Sequence, residues 1–273
     1  MIHFLQFQLL RKFLQNLKEV FIQNQRRRLL ERLKIILKKN EKIGKFNLLC
    51  FEGEFHYTPS PGNFYMLSKD NYEFILPRPF SVFDFKNGKI YFLIKKVGRF
   101  TDFLFHLKPG EEIFLNGPYG KKIEHFDKII FIAGGIGFAP LHFHSLFTND
   151  FYFFFGGTTK DEILCHKFIE KNIFVSTDDG SFGYKGDVLS LFKSHLNKID
   201  FKERKIFACG PRNMLKELKK ISEEIKIETY FYMEERMGCG FGGCKGCAIK
   251  TINNYRLLCK EGTVFLSSEV IFE

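Results

Sequence analysis

The chain has 273 residues, 45% of them hydrophobic, with 36 Phe, no Trp and a formal net charge of +11. That length suits two ordinary domains, or two and a small appendix, and no run approaches the ~20 apolar residues a membrane-crossing helix needs. The charge is lopsided, because residues 1–40 hold ten Lys or Arg against two acids; the body that follows is close to balanced, which argues against a nucleic-acid-binding surface.

Residues 1–31, "MIHFLQFQLLRKFLQNLKEVFIQNQRRRLLE", carry apolar residues at near-helical spacing without Gly or Pro, which predicts a basic amphipathic extension of one or two helices. It suits an added helix packed on the body, and a helix of this kind can also meet a membrane surface or an acidic partner. The stretch lacks the short apolar core and small-residue cleavage site of an export signal, so the expected location is the cytoplasm.

From 32 to 120 the texture changes to short β-rich runs, "KIILKK", "KFNLLCFEGEF", "NFYMLS", "KIYFLIKKV" and "EEIFLNGPYG", divided by Pro, Gly and Asn. Such spacing predicts a small antiparallel β barrel. From 121 to 225, apolar strands at 128–133, 151–155, 173–177 and 205–209 alternate with helical segments, among them "DEILCHKFIEK" (161–171) and "PRNMLKELKKISEE" (211–224). Alternation of that kind predicts an α/β domain with a doubly wound parallel sheet. A last strand, "IKIETYFYM", leads into a small C-terminal domain over 226–273.

Within the barrel, "RPFS" (Arg78 to Ser81) offers a guanidinium for a pyrophosphate, a fixed backbone and a hydroxyl for a flavin edge. "LIKKVGRFT" (Leu93 to Thr101) follows with backbone N–H groups and the Thr101 hydroxyl able to hold phosphate. In the α/β domain, "GGIGFAP" (Gly134 to Pro140) joins a strand to a helix, with Gly135 and Gly137 permitting a tight turn at a dinucleotide. "TDDGSFGYKG" and "CGP" also sit at C-terminal strand ends, where open α/β sheets bind ligands.

The seven cysteines crowd toward the end, with Cys239, Cys244, Cys247 and Cys259 in the pattern C-x4-C-x2-C-x11-C. That is the spacing of a plant-type [2Fe–2S] centre. Zinc sites more often pair two separate knuckles, whereas here three ligands share one loop. The interleaved glycines, in "MGCGFGGCKGC", let such a loop turn sharply and aim N–H groups at sulfur. A structural zinc module without flavin is the alternative of a different class.

The order of these motifs resembles the ferredoxin–NADP reductase superfamily. Within it, "TDDGSFGYKG", "EERMGCGFGGCKGC" and "LLCKEGTVF" resemble the electron-transfer subunit of the NAD-dependent dihydroorotate dehydrogenases, from about Lys34 onward. The resemblance implies FAD contacts at Arg78, Pro79, Phe80, Ser81, Leu93, Ile94, Lys95, Phe100 and Thr101, NAD binding at the Gly135–Gly137 turn, and cluster ligands Cys239, Cys244, Cys247 and Cys259. It implies electron flow between NAD, FAD, a [2Fe–2S] cluster and the FMN of a separate catalytic subunit, in a heterotetramer with two of each. The same modules also serve reductase subunits for a hydrogenase, a ferredoxin or an oxygenase. One departure stands out: the family's phosphate turn reads G-K-G-T, and "GRFT" puts Phe100 in place of its second Gly.

Overall fold

Seven strands make the first sheet: β1 (Leu33–Ile43), β2 (Phe46–Glu52), β3 (Phe64–Ser68), β4 (Arg78–Ser81), β5 (Asp84–Lys86), β6 (Lys89–Lys95) and β7 (Glu112–Tyr119). A computed structural model describes residues 32–70 and 74–272; the expected basic extension over 1–31 lies outside the described residues. Strand order is β4-β3-β7-β1-β2-β6-β5 and every pairing is antiparallel. The sheet curls until β4 contacts β6. Period-two alternation sends Ile35, Leu37, Leu49, Phe51, Tyr65, Leu67, Phe92, Ile94, Ile113 and Leu115 inward to one core. Helix α1 (Arg99–His106) plugs that core with Phe100 and Leu104. Asn40 secures the helix end, since its Nδ2 donates to the carbonyls of Leu104, Phe105 and Leu107 at the C-terminal turn, where helical bonding runs out.

The second sheet comprises β8 (Lys128–Gly134), β9 (Asp150–Gly157), β10 (Ile173–Thr177), β11 (Tyr184–Lys185), β12 (Lys205–Cys209), β13 (Thr229–Tyr232) and, near the C-terminus, β16 (Val264–Leu266). Its order is β11-β10-β9-β8-β12-β13-β16, parallel except for the last pair. Helix α2 (Phe138–Ser145) packs on one face with Phe131, Phe153, Phe155 and Phe207. Helices α3 (Val188–Lys193) and α4 (Arg212–Glu224) pack on the other with Ile130, Ile132, Phe154 and Phe231. Both faces are therefore apolar and both are covered, which is the doubly wound arrangement. Among the described residues no helix is long and apolar enough to cross a membrane.

The expected helix over 161–171 is absent. Two 3-10 turns, Lys160–Glu162 and Cys165–Lys167, occupy that stretch. An α-helix starting there would use the Asp161 carbonyl for the N–H of Cys165. The N–H of Lys45 from the barrel takes that carbonyl instead, at 2.9 Å.

After β13 the chain runs through the cysteine loop into a hairpin of β14 (Ala248–Lys250) and β15 (Tyr255–Leu257), then helix α5 (Leu258–Glu261), and returns as β16 beside β13. Cys247, Ile249, Leu258 and Cys259 share a core with Phe64, Met66 and Tyr119 of the barrel. The small module is thereby clamped to both larger ones.

Helix α3 tests how firmly the outer layer is held. The Asp187 carboxylate accepts from the N–H groups of Leu189 and Ser190, both at 2.9 Å, and from the Ser190 hydroxyl at 2.7 Å. Burial raises its pKa, but these bonds outweigh burial and hold it below the ordinary value. Asp187→Ala is expected to cost about 0.5–2 kcal/mol in urea unfolding near neutral pH. Because the folded pKa is depressed, the contribution is complete above the unfolded pKa of about 4 and is lost as pH falls through the folded value. Asp187→Asn should show a flatter acid limb than the parent.

Candidate functional site

All three modules border one cleft of about 620 Å³. The barrel contributes Arg78, Pro79, Phe80, Ser81, Leu93, Lys95 and the 97–101 turn; the parallel sheet contributes Ile136, Ala139, Pro140 and Cys209; the segment entering the cysteine loop contributes Tyr232 to Glu235 and Met237. That size falls within the ~300–1,000 Å³ range of cofactor sites.

The N-terminus of α1 opens into the cleft through Val97, Gly98 and Arg99, a setting that favours phosphate. Thr101 organises this turn, since its Oγ1 accepts from the N–H groups of Val97 and Gly98, both at 2.9 Å. Arg78 stands at the cleft edge with its guanidinium donating to the carbonyl of Leu76 at 2.7 Å. Phe100 replaces the usual glycine without blocking the turn. Its ring sits among Phe74, Phe80 and Phe103, with centroids 5.1 to 6.2 Å away, and is 4% exposed. Ile94 differs from its neighbours: strand alternation turns its side chain into the barrel core, leaving Leu93 and Lys95 at the cleft.

The two glycines of the nucleotide turn do different work. Gly135 has φ +54°, and a Cβ there would meet nothing within 4 Å, so its face is open to a ligand. Gly137 has an ordinary φ of −58°, but a Cβ there would strike the Cys209 carbonyl and approach the Gly210 nitrogen to 2.9 Å. It is needed for the crossing of turn and strand β12, not for ligand approach.

The cleft lining also holds a carboxylate to which the sequence reading gave no role. Glu234 is exposed to the cleft, with its Oε1 3.9 Å from the Sγ of buried Cys209. The surrounding cleft walls desolvate the Glu234 carboxyl and raise it above its ordinary value, and burial with the Glu234 charge lifts the Cys209 thiol as well. Next to them the Tyr232 hydroxyl pairs with Nδ1 of His144 at 3.0 Å. Burial brings His144 down to about 3, so the ring is neutral. "CGP" gave the location of Cys209; Glu234 opens the "EERMGCGFGGCKGC" segment, but its place beside Cys209 is recognisable only once the fold brings them together.

The four cysteines are brought together in two pairs. Cys247 and Cys259 are buried, with their sulfurs 3.3 Å apart. Cys239 receives the N–H of Cys244 at 3.4 Å, and their side chains interact. Further N–H groups aim at sulfur: Gly246 at Cys244 (3.5 Å) and Cys259 at Cys247 (3.5 Å). The Gly246 N–H foremost, then the backbone and thiol of Cys239 and the backbone of Gly238, lower the Cys244 thiol to about 7. A Cβ on Gly238 or Gly246 would lie 3.4 or 3.6 Å from the Cys244 sulfur, and Gly240 and Gly242 take φ +79° and +92°. Among the described residues no three potential ligands are gathered around one metal ion. Two thiol pairs, with N–H groups directed at sulfur, fit a binuclear iron–sulfur centre better than a single tetrahedral zinc.

Residues 234–271 match the model of the iron–sulfur cluster binding domain of dihydroorotate dehydrogenase B. The chain is 38% identical over 232 residues to the dihydroorotate dehydrogenase B (NAD(+)) electron transfer subunit of Clostridium acetobutylicum, covering 82% of this chain and 90% of that protein. It belongs to that electron transfer subunit family. A probable member from Methanocaldococcus jannaschii is 33% identical over 248 residues, covering 88% of this chain and 90% of that one. In fold it is similar to the NADH-dependent reduced ferredoxin-NADP oxidoreductase, with a TM-score of 0.78, 24% identity and coverage of 87% and 89%. A ferredoxin reductase of carbazole 1,9a-dioxygenase aligns with a TM-score of 0.63 over 74% of this chain and 68% of its own.

For a member of this family the nucleotide turn offers a clean contrast. Gly137→Ala is expected to destabilise by about 1–3 kcal/mol through overpacking against β12. Gly135→Asn should cost only a few tenths, since Asn tolerates the left-handed conformation. It should nevertheless weaken NADH binding, because its side chain enters the open face. Thermal unfolding and a fluorescence titration with NADH separate the two.

Proposed function

We propose that this chain carries electrons from the FMN of a separate dihydroorotate dehydrogenase catalytic subunit, through a [2Fe–2S] cluster and FAD, to NAD+. The shared cleft supports this most directly, because one space is bordered by the barrel motif, the nucleotide turn and the segment leading into the cysteine loop. In this reading residues 32–120 form the FAD domain, 121–225 the NAD domain and 226–273 the cluster domain. Arg78 and the turn at Val97 to Thr101 hold the pyrophosphate. Pro79, Phe80, Ser81, Leu93 and Lys95 border the flavin, Ile94 offers backbone alone, and Phe100 supports the turn from below. Cys239 with Cys244, and Cys247 with Cys259, hold one iron each. The assembly contains two copies of each subunit and works in the cytoplasm.

FAD, when bound, supplies the step that nicotinamide and cluster cannot share, exchanging two electrons with one and single electrons with the other. The remaining work belongs to the chain. The apolar cleft walls exclude water from the hydride path. Glu234, whose carboxyl is raised above its ordinary value, stands at the cleft edge beside Cys209, where it can take up and release a proton. The Tyr232–His144 hydrogen bond fixes the floor between them and α2.

Cys244→Ser protein that still holds FAD is expected to bleach its flavin with NADH at the parent rate, yet fail to couple dihydroorotate oxidation to NAD+ reduction with the catalytic subunit. Full coupling in that variant would place the cluster off the path. A second measurement addresses the proton. If protonated Glu234 serves flavin reduction, the rate falls as pH rises through its elevated pKa, and Glu234→Gln removes that limb of the profile.

A further inference from the structure

Glu162 is a charged residue that the path above does not use. Its side chain is 5% exposed, and it lies in the 3-10 turn that directly follows β9. Its Oε1 accepts from Lys95 Nζ at 2.8 Å, with Lys45 Nζ 3.9 Å away, while its Oε2 accepts from the Thr158 N–H at 3.1 Å. Burial works to raise its pKa, but the bonds from Lys95 and Thr158 outweigh burial and keep it charged.

These contacts join two modules. Lys45 and Lys95 belong to the barrel, and Lys95 lines the cleft. Thr158 follows the end of β9, whose Gly156 is in register with Gly134 of the nucleotide turn. The junction is closed alongside by the Lys45 N–H to Asp161 carbonyl bond and by Gly44, where any Cβ would strike the Asp161 carbonyl. An exposed pair would contribute little. A buried carboxylate bonded on both oxygens holds its partners in one arrangement, and removing its charge leaves the half-buried Lys95 ammonium without its ionic partner.

We propose that Glu162 is a positioning residue that ties Lys95 to Thr158 and so sets the gap between the flavin wall and the nucleotide turn. The inference rests on the flavin and nicotinamide reading of the cleft.

The test uses the purified full-length chain loaded with FAD and cluster, comparing the parent with Glu162→Gln, Glu162→Asp, Lys95→Met and the Glu162→Gln/Lys95→Met pair. FAD and iron per chain, the NADH dissociation constant, the limiting rate of flavin reduction and the visible circular dichroism of the bound flavin are measured. Glu162→Gln should keep FAD and iron, hold NADH affinity within about threefold and lower the limiting rate by roughly ten- to a hundredfold, as misplaced reactants do. Its flavin dichroism should change, and Glu162→Asp, one methylene shorter, should recover part of the rate. The double variant should be no slower than the slower single, because the two residues act as one unit. Parent-like rate and dichroism in Glu162→Gln overturn the proposal, as do fully additive losses in the double variant. Joint loss of FAD and rate in Glu162→Gln also overturns it, by reducing Glu162 to a structural role. If Glu162→Gln does not fold, a folded Glu162→Asp with parent rate and dichroism overturns it instead. A parent chain that binds no FAD would defeat the reading of the cleft itself, whatever the variants do.

Discussion

A hydride moves only between atoms held about 3–3.5 Å apart. A chain that passes electrons between a nicotinamide, a flavin and an iron–sulfur centre must therefore bring three binding surfaces to one place and keep water out. In the proposed reading that place is the cleft where the barrel, the parallel sheet and the C-terminal module meet. The antiparallel pairing of β16 with β13 draws the C-terminus back to the sheet edge. The cysteine loop is thus anchored at both ends, with its buried thiols packed on Met66 and Tyr119 of the barrel.

The seams are made in two ways. One is aromatic: Phe83 of the barrel packs on His142 at 4.4 Å and Phe168 at 4.9 Å, so rings from the two large modules interlock. Phenylalanine suits this use, since one rigid ring buries a large area with few rotamers lost. The other is close backbone approach. Gly44 against Asp161 and Gly137 against Cys209 leave no space for a Cβ. The first crossing joins the barrel to the parallel-sheet module, and the second seats the nucleotide turn on β12 within that module.

Burial also sorts the ionisable groups around the cleft. Glu234, with the Cys209 thiol beside it, is raised above its ordinary value, whereas Glu162, with an ammonium and a backbone N–H, is lowered. Two carboxylates thus shift in opposite directions according to their partners. The thiols divide similarly. Cys244, exposed and receiving N–H groups, is lowered to about 7, while buried Cys165 is pushed up to about 12.

Periodicity and spacing were enough to read the two sheets, the Arg78–Ser81 strand, the Gly-rich turn and the set of four cysteines, because each is written in residues near one another along the chain. The helix at Arg99–His106 was not expected within the barrel, although Phe100, Phe103, Leu104 and Leu107 have helical apolar spacing; eight residues between β strands give too short a pattern to stand out. The 161–171 segment has helical composition, yet a barrel N–H claims the Asp161 carbonyl and local propensity yields to a tertiary bond. Ile94 reads as one of three consecutive cleft residues, and only the direction of the strand face sends it inward. Sequence by itself determined which chemistry the chain carries: thiols at cluster spacing, a guanidinium beside a turn, glycines between strand and helix. Tertiary structure alone decided that Glu234 meets Cys209 and that Glu162 meets the cleft-lining Lys95, because those pairs come from elements distant along the chain, which no local pattern records.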